Sequence, residues 1–124
     1  MKRPYAYWLF TGLAILWLAP SGVLDAMRFP AVIAILERLG YPAYLAVILG
    51  ICKLFAVAAL LYPRTGFLRE WAYAGLTFDL LGAFISHVAV HDPVLTALTP
   101  LLVLAFVAGS YVLRPDHLRL RVAA

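Results

Sequence analysis

Residues 43–62, AYLAVILGICKLFAVAALLY, and residues 71–90, WAYAGLTFDLLGAFISHVAV, decide the fold of this chain. Each is apolar and bounded by charge or proline, and each has about the 20 residues that a helix needs to cross a bilayer. Residues 5–24 and 94–113 have the same character. Because lipid offers no hydrogen bonds to bare backbone, all of these stretches must be helical. The sequence predicts an all-α, four-transmembrane-helix bundle that forms a single domain over residues 1–124.

The composition is that of an integral membrane protein. Of the 124 residues, 65% are hydrophobic and 13% are charged, against about 25% charged in ordinary soluble domains. These values exclude a soluble globular enzyme. The net charge is +4, but the ten Lys and Arg residues are dispersed and form no run. We therefore expect the lipid bilayer as a partner and no nucleic acid. The single cysteine, Cys52, excludes a disulfide within the chain.

The basic residues also predict an orientation in the membrane. With four spans, both termini and the loop between the second and third spans lie on the same side. The opposite side carries only Arg28 and Arg38. Because cytoplasmic loops are enriched in Lys and Arg, we expect a protein of the cell (inner) membrane with both termini in the cytoplasm. The basic residues on that side are Lys2, Arg3, Arg64, Arg69, Arg114, Arg119 and Arg121.

A shorter helix is predicted between the first two spans. Residues 29–42 read FPAVIAILERLGYP, which is too short to cross a bilayer. Pro30 suits a first helical turn and Gly40 suits a helix end. The apolar residues of one face are Phe29, Val32, Ile33 and Leu36. This pattern is typical of an amphipathic helix in the outer interface, which either caps the bundle or acts as a lid over a cavity.

Two charged residues fall inside the predicted spans, Lys53 in the second and Asp79 in the third. A single charge at the centre of a membrane costs about 2.5–3.5 kcal/mol on insertion scales, so the two demand a shared explanation. Both lie at a similar depth on neighbouring helices. We expect them to pair inside a tight interface between the second and third spans. The pair either fixes the register of two helices or borders a polar cavity for a ligand or a proton.

Small residues accompany both charges at helical spacing and favour a close approach of the two helices. The residues of the third span that share this face are Ala72, Gly75, Asp79, Gly82 and Ser86. Those of the second span are Ala46, Gly50, Lys53 and Ala56 or Val57.

A second polar cluster is expected at the outer surface, formed by Asp25, His87, His91 and Asp92. One interpretation makes His87 an interfacial residue that is hydrogen-bonded to Asp25 or Ser21. In the same interpretation Asp92 caps the fourth helix, with Pro93 at its first position. An alternative interpretation is a divalent metal site formed by His87, His91 and Asp25, because three protein ligands and an open position suit zinc.

The chain resembles the DoxX-like family of small bacterial four-helix membrane proteins. The matching stretches include LGYPAYL, LGICKLFAVAALLYPR, LREWAYAGLTFDLLGAFISHVAVHDP and AGSYVLRP. The resemblance places the recurring polar residues of the family at Asp25, Lys53, Glu70, Asp79, His87 and Asp92. Ala56 stands where the family usually has glycine, which weakens the inference of close packing there. The name of the family derives from relatives associated with thiosulfate:quinone oxidoreductase or quinol oxidase complexes, but a family is not a mechanism.

Three functions remain open at this point, and in none of them is the chain expected to be an enzyme on its own. The first is a membrane subunit that supports a redox partner and binds a quinone near Lys53 and Asp79, with Asp25 and His87 as further candidate binding residues. The second is a binding or transport module for a small molecule, which would need a homo-oligomer. The third is a non-catalytic assembly protein, in which Glu70, Ser86 and Asp92 are structural.

Overall fold

A computed structural model describes residues 2–62 and 66–119, without the side chains of residues 2 and 3. Within these ranges the chain forms five α-helices and no strand. The helices are α1 (Lys2–Ala26), α2 (Pro30–Leu39), α3 (Leu45–Leu61), α4 (Phe67–Ala89) and α5 (Val94–Val112), followed by a 3₁₀ turn at Asp116–Leu118. The predicted all-α class is confirmed.

The four longer helices pack in a ring. Helix α1 contacts α3 and α5, and α4 contacts the same two helices from the other side. Apolar side chains from all four meet in one core, which includes Leu18, Leu60, Leu76, Val103 and Val107. Helix α2 lies at the edge of this ring, against α1 and α3. The ring places the middle of α3 between α1 and α4.

Three helices of the described residues are long and apolar enough to cross a membrane, Pro4–Ala26, Phe67–Ala89 and Val94–Val112. Helix α3 is apolar but has 17 residues, or about 25 Å at 1.5 Å per residue. The chain is therefore a helical protein with three clear candidate spans. The fourth span remains a prediction.

The short helix α2 forms where the sequence predicts it. Pro30 lies at its first position, and Gly40 ends it with a φ of 91°, in the left-handed region that glycine adopts without strain. The amide N–H of Tyr41 donates to the carbonyl of Leu36 at 2.9 Å and closes the last turn. Leu36 is buried against the bundle, and Glu37 is exposed. Val32 and Ile33 of the predicted apolar face are partly buried, whereas Phe29 is exposed, so the predicted face holds within α2 but not at the residue before it.

The predicted tight interface between α3 and α4 is wrong. Gly50 of α3 packs against α1, where an added Cβ would overlap the backbone nitrogen of Ala26 and lie 2.7 Å from the carbonyl oxygen of Gly22. By contrast, a Cβ added at Gly75 or Gly82 of α4 would have no neighbour within 4 Å. Small residues permit a close approach, but the approach also requires a matching surface on the facing helix. Helix α1 supplies that surface, and α4 does not.

Candidate functional site

Lys53 lies between two carboxylates on different helices. Its Nζ donates to Asp25 Oδ2 of α1 at 2.8 Å and to Ser21 Oγ at 3.0 Å. Lys53 Nζ and Asp79 Oδ2 of α4 form the predicted ion pair at 4.0 Å, a separation beyond hydrogen-bond length. The sequence paired Lys53 with Asp79 alone and placed Asp25 at the outer surface beside His87. The structure instead makes Asp25 the nearer partner of the ammonium.

The close packing of α1 on α3 explains this choice of partner. A Cβ added at Gly22 would lie 3.1 Å from the Cβ of Lys53, so the two helices nearly touch at this level. Ser21 and Asp25 are four residues apart and therefore share a face of α1. Both side chains reach the same ammonium. The position of Lys53 is thus determined by α1 rather than by α4.

A cavity of about 600 Å³ lies between α3 and α4, with Lys53 and Asp79 in its wall. Because the two helices run antiparallel, Leu49 and Asp79 lie toward one end, and Ala59 and Leu68 lie toward the other. Most of its wall is apolar, formed by Leu49, Phe55, Ala56, Ala59, Leu68, Trp71, Ala72, Gly75, Leu76 and Phe78, and the remaining residue is Cys52. The cavity therefore combines a long apolar surface with one charged patch.

Acidic and basic side chains are unequal in number at this patch. Two carboxylates face one ammonium, and the side chains of Asp25, Lys53 and Asp79 are 11%, 15% and 20% exposed. Asp79 makes no hydrogen bond to any residue in the described ranges. Charged groups inside a membrane protein pair with one another or line a cavity. In this cluster Asp25 pairs with Lys53, and Lys53 and Asp79 line the cavity.

His87 and Asp92 form a separate contact outside the cavity. The imidazole Nδ1 of His87 hydrogen-bonds Asp92 Oδ2, and the guanidinium of Arg38 from α2 forms an ion pair with Asp92 Oδ1. The hydrogen bond from His87 and the charge of Arg38 hold the pKa of Asp92 below its ordinary value of 3.8. We call Arg38, His87 and Asp92 the clasp, because it ties α2 to the turn between α4 and α5.

The clasp corrects three expectations. His87 binds Asp92 and not Asp25 or Ser21. Asp92 does not cap α5, which begins at Val94 without a side-chain cap, because its carboxylate is engaged by the clasp. The described residues contain no group of His, Cys, Asp and Glu that could hold a metal ion, so His87, His91 and Asp25 are not gathered into a metal site.

Ser86 makes a second link between the same parts of the fold. Its hydroxyl is 2.6 Å from the hydroxyl of Tyr41, which follows α2, and it donates to the carbonyl of Gly82 at 2.7 Å. Tyr41 and Arg38 therefore both reach α4 or its following turn. The sequence did not predict this role for Tyr41, because a tyrosine near a span end is typical of the membrane interface.

Arg69 has a structural role that the sequence did not predict. It is 2% exposed, and its guanidinium donates to the carbonyls of Leu60 at 2.8 Å and Tyr62 at 2.6 Å and to the hydroxyl of Tyr7 at 3.2 Å. A helix leaves its last carbonyls without partners, and a cation there is favourable. Arg69 thus ties the carboxyl end of α3 to α4. An arginine soon after a helix end was the available signal.

Glu70 and Arg114 form an ion pair at the same end of the bundle, at 3.5 Å. The guanidinium of Arg114 also stacks on the ring of Tyr111 at 3.6 Å, in a cation–π contact. Arg69 and Arg114, counted from the sequence as loop charges, are both buried. The predicted orientation in the membrane remains a prediction.

A chain of hydroxyls joins three helices in the core. Ser110 of α5 hydrogen-bonds Thr11 of α1, and its Oγ lies 2.7 Å from the hydroxyl of Tyr73 of α4. All three side chains are buried, and buried polar groups require such partners. None of these three residues lines the cavity between α3 and α4, and their contact joins α1, α4 and α5 in the bundle.

One of the comparisons with known proteins, that with family models, finds a match. No curated protein and no solved structure matches the chain. The model of the DoxX-like family matches residues 9–110, a range that includes Asp25, Lys53, Asp79 and the clasp. Because this match covers most of the 124 residues, the chain belongs to the DoxX-like family.

Proposed function

We propose that this protein binds, within the membrane, a lipid-soluble molecule of the quinone or quinol class and presents it to a redox partner. The observation that carries the proposal is the cavity between α3 and α4, with its apolar wall and its charged patch at Lys53 and Asp79. Quinones combine a polar ring with an apolar tail. A site that holds both parts needs this combination of surfaces.

The size and the position of the cavity support this ligand class. A volume of about 600 Å³ lies within the range of about 300–1,000 Å³ that is usual for small-molecule sites. Phe55, Trp71 and Phe78 of its wall are mostly exposed on the apolar surface of the bundle. A ligand dissolved in the bilayer can therefore enter between the two helices without crossing water.

Cys52 offers a direct test, because it is exposed, lines the cavity and is the single cysteine of the chain. A fully ring-substituted, short-tailed benzoquinone, which cannot add a thiol, should slow the labelling of Cys52 by N-ethylmaleimide in proteoliposomes. The measured quantity is the ratio of labelling rates without and with the quinone. A ratio of one in the unmodified protein would contradict the proposal.

Two glycine substitutions on α4 provide matched variants for this test. Gly75 lines the cavity and Gly82 does not, yet neither has a neighbour within 4 Å of an added Cβ. Gly75→Leu should fill the cavity and abolish protection of Cys52, whereas Gly82→Leu should retain it. Equal protection in both variants would place the quinone elsewhere.

We also propose that α3 is a fourth span and that both termini face the cytoplasm of the cell. The apolar sequence of α3 and the distribution of the basic residues support this topology. In protein carrying Cys52→Ser, a membrane-impermeant maleimide should label Glu37→Cys in intact cells, because Glu37 is exposed and the proposed topology puts α2 outside the cell. The exposed Asp116, changed to cysteine, should be labelled only after the cells are opened. The reverse pattern would invert the orientation.

A structural role is the second candidate, and one observation favours it. Lys53 is already satisfied by Asp25 and Ser21, as in a charge cluster that only fixes helix register. In that case the chain supports the assembly of another membrane protein and binds no quinone. Absence of Cys52 protection in a correctly folded preparation would favour this alternative.

A further inference from the structure

We infer that Asp79 is the group in the cavity that selects the ligand, and that it selects a head group that donates a hydrogen bond. This inference rests on the proposed function and specifies which form of the ligand is bound. It assigns different tasks to the two charged residues of the cavity wall. Lys53 is held by α1, and Asp79 receives the ligand.

The hydrogen bonds of Lys53 account for the first task. An ammonium has three N–H donors, and two of them are engaged by Asp25 and Ser21. Lys53 therefore offers the cavity a single N–H, from a position that α1 determines. A ligand carbonyl could accept that one hydrogen bond and no more.

The free acceptors of Asp79 account for the second task. Its carboxylate lines the cavity and accepts no hydrogen bond from any residue in ranges 2–62 and 66–119. A carboxylate has two oxygens that accept and cannot donate. A quinone carbonyl oxygen placed beside Asp79 would be repelled, because both groups are hydrogen-bond acceptors and neither can donate. A hydroxyl would instead donate a charge-assisted hydrogen bond.

The gap between the two charges fits a hydroxyl group. Lys53 Nζ and Asp79 Oδ2 are 4.0 Å apart, and two hydrogen bonds of about 2.7–3.0 Å each can span this separation through one shared oxygen. A hydroquinone hydroxyl can therefore accept from Lys53 and donate to Asp79 at once. A quinone carbonyl completes only the first of these contacts.

Three probes with the same ring substituents and tail test the inference: a fully ring-substituted, short-tailed benzoquinone, its hydroquinone and the dimethyl ether of that hydroquinone. Their dissociation constants are measured under argon from the concentration dependence of Cys52 protection. We expect the hydroquinone to bind about tenfold more tightly than the other two, because it alone donates a hydrogen bond to Asp79. Binding of the hydroquinone no tighter than its ether would overturn the inference and leave the proposed function intact. Failure of all three probes to protect Cys52 would overturn both.

Two variants then test which residue causes the preference for the hydroquinone. Asp79→Asn keeps the shape of the side chain but adds N–H donors, so the preference for the hydroquinone should fall to nearly one. Glu70→Gln removes a carboxylate from the same helix outside the cavity and should keep the preference. If Asp79→Asn retains the preference, the role of Asp79 is wrong. If that variant fails to fold, the three probes on the unmodified protein still decide between donor and acceptor.

Discussion

The two sides of α3 hold their neighbours in different ways. Toward α1, the helices touch through backbone at Gly50 and Gly22, and the hydrogen bond from Lys53 to Asp25 lies beside this contact. Toward α4, polar contacts tie the two ends of the interface, with the cavity between them. Those contacts are Tyr41 with Ser86 and the clasp at one end, and Arg69 with Leu60 and Tyr62 at the other.

This difference explains how a small bundle keeps an open space. Apolar helices in lipid gain association energy mainly from close packing, which would close a gap lined by Ala72 and Gly75. Contacts on either side of this open middle are made by Arg69 with the carboxyl end of α3 and by the segment before α3 with α4 and its following turn. The α1 side supplies packing, and the α4 side supplies the candidate binding surface. Substitutions on the two sides should therefore have different consequences.

The largest loss of stability is expected from substitution of Lys53, because its ammonium lies near the carboxylates of both neighbouring helices. Lys53→Met leaves the carboxylates of Asp25 and Asp79 without their cation, which should destabilise the protein by about 3–5 kcal/mol. Asp79→Asn should cost much less, because the pair of Lys53 and Asp25 survives. Thermal unfolding in detergent, followed by helical circular dichroism, measures both. Equal losses would show that Asp79, and not Asp25, is the main partner of the ammonium.

Arg69 tests the end contacts of the α4 side. Arg69→Met removes the donors to the carbonyls of Leu60 and Tyr62 inside the protein, with an expected loss of about 3 kcal/mol. Arg69→Lys keeps the charge but not the planar arrangement of donors, so it should recover only part of that loss. The same thermal unfolding measurement applies. Full stability of Arg69→Met would show that this end of the interface is held by packing.

Matched alanine substitutions compare the two sides directly. Gly50→Ala forces a Cβ into the backbone of α1 and should cost about 1–3 kcal/mol. Gly75→Ala meets open space and should stabilise α4 by about 0.5–1 kcal/mol, because alanine loses less entropy than glycine in a helix. Changes of the same sign in both variants would contradict the distinction between a packed side and an open side.

The sequence predicted the helices well. The hydrocarbon core of a bilayer requires apolar side chains, which hydropathy detects, and it also requires a helical backbone. It predicted the partner of Lys53 less well. The similar depth of Lys53 and Asp79 along their helices predicted that the two would pair. A lysine side chain is long enough to reach either of two neighbouring helices, however, and which carboxylate it reaches depends on how each helix is rotated about its axis. Gly50 shows the same limit: its spacing indicated a close contact, yet spacing on one helix does not say which neighbour makes it. No sequence pattern indicated the cavity. Gly75 has the same spacing along α4 whether it packs against a neighbouring helix or lines a cavity.

The smallest expected effect concerns the clasp, which ties α2 to the turn between α4 and α5. Arg38→Gln and Asp92→Asn should each lower the stability less than Arg69→Met near neutral pH, because the Arg38 side chain is 55% exposed and an ion pair with a solvent-exposed partner contributes little. Since the pKa of Asp92 is held below 3.8 in the folded protein, its contribution is present above that pH and is lost as the pH falls through the lower folded value. The stability difference between the unmodified protein and Asp92→Asn should therefore stay constant down to about pH 4 and shrink only in stronger acid. A difference that already disappears above pH 4 would show that the carboxylate is not held in its charged form, and that α2 is attached to the bundle by Leu36 and Tyr41 instead of by the clasp.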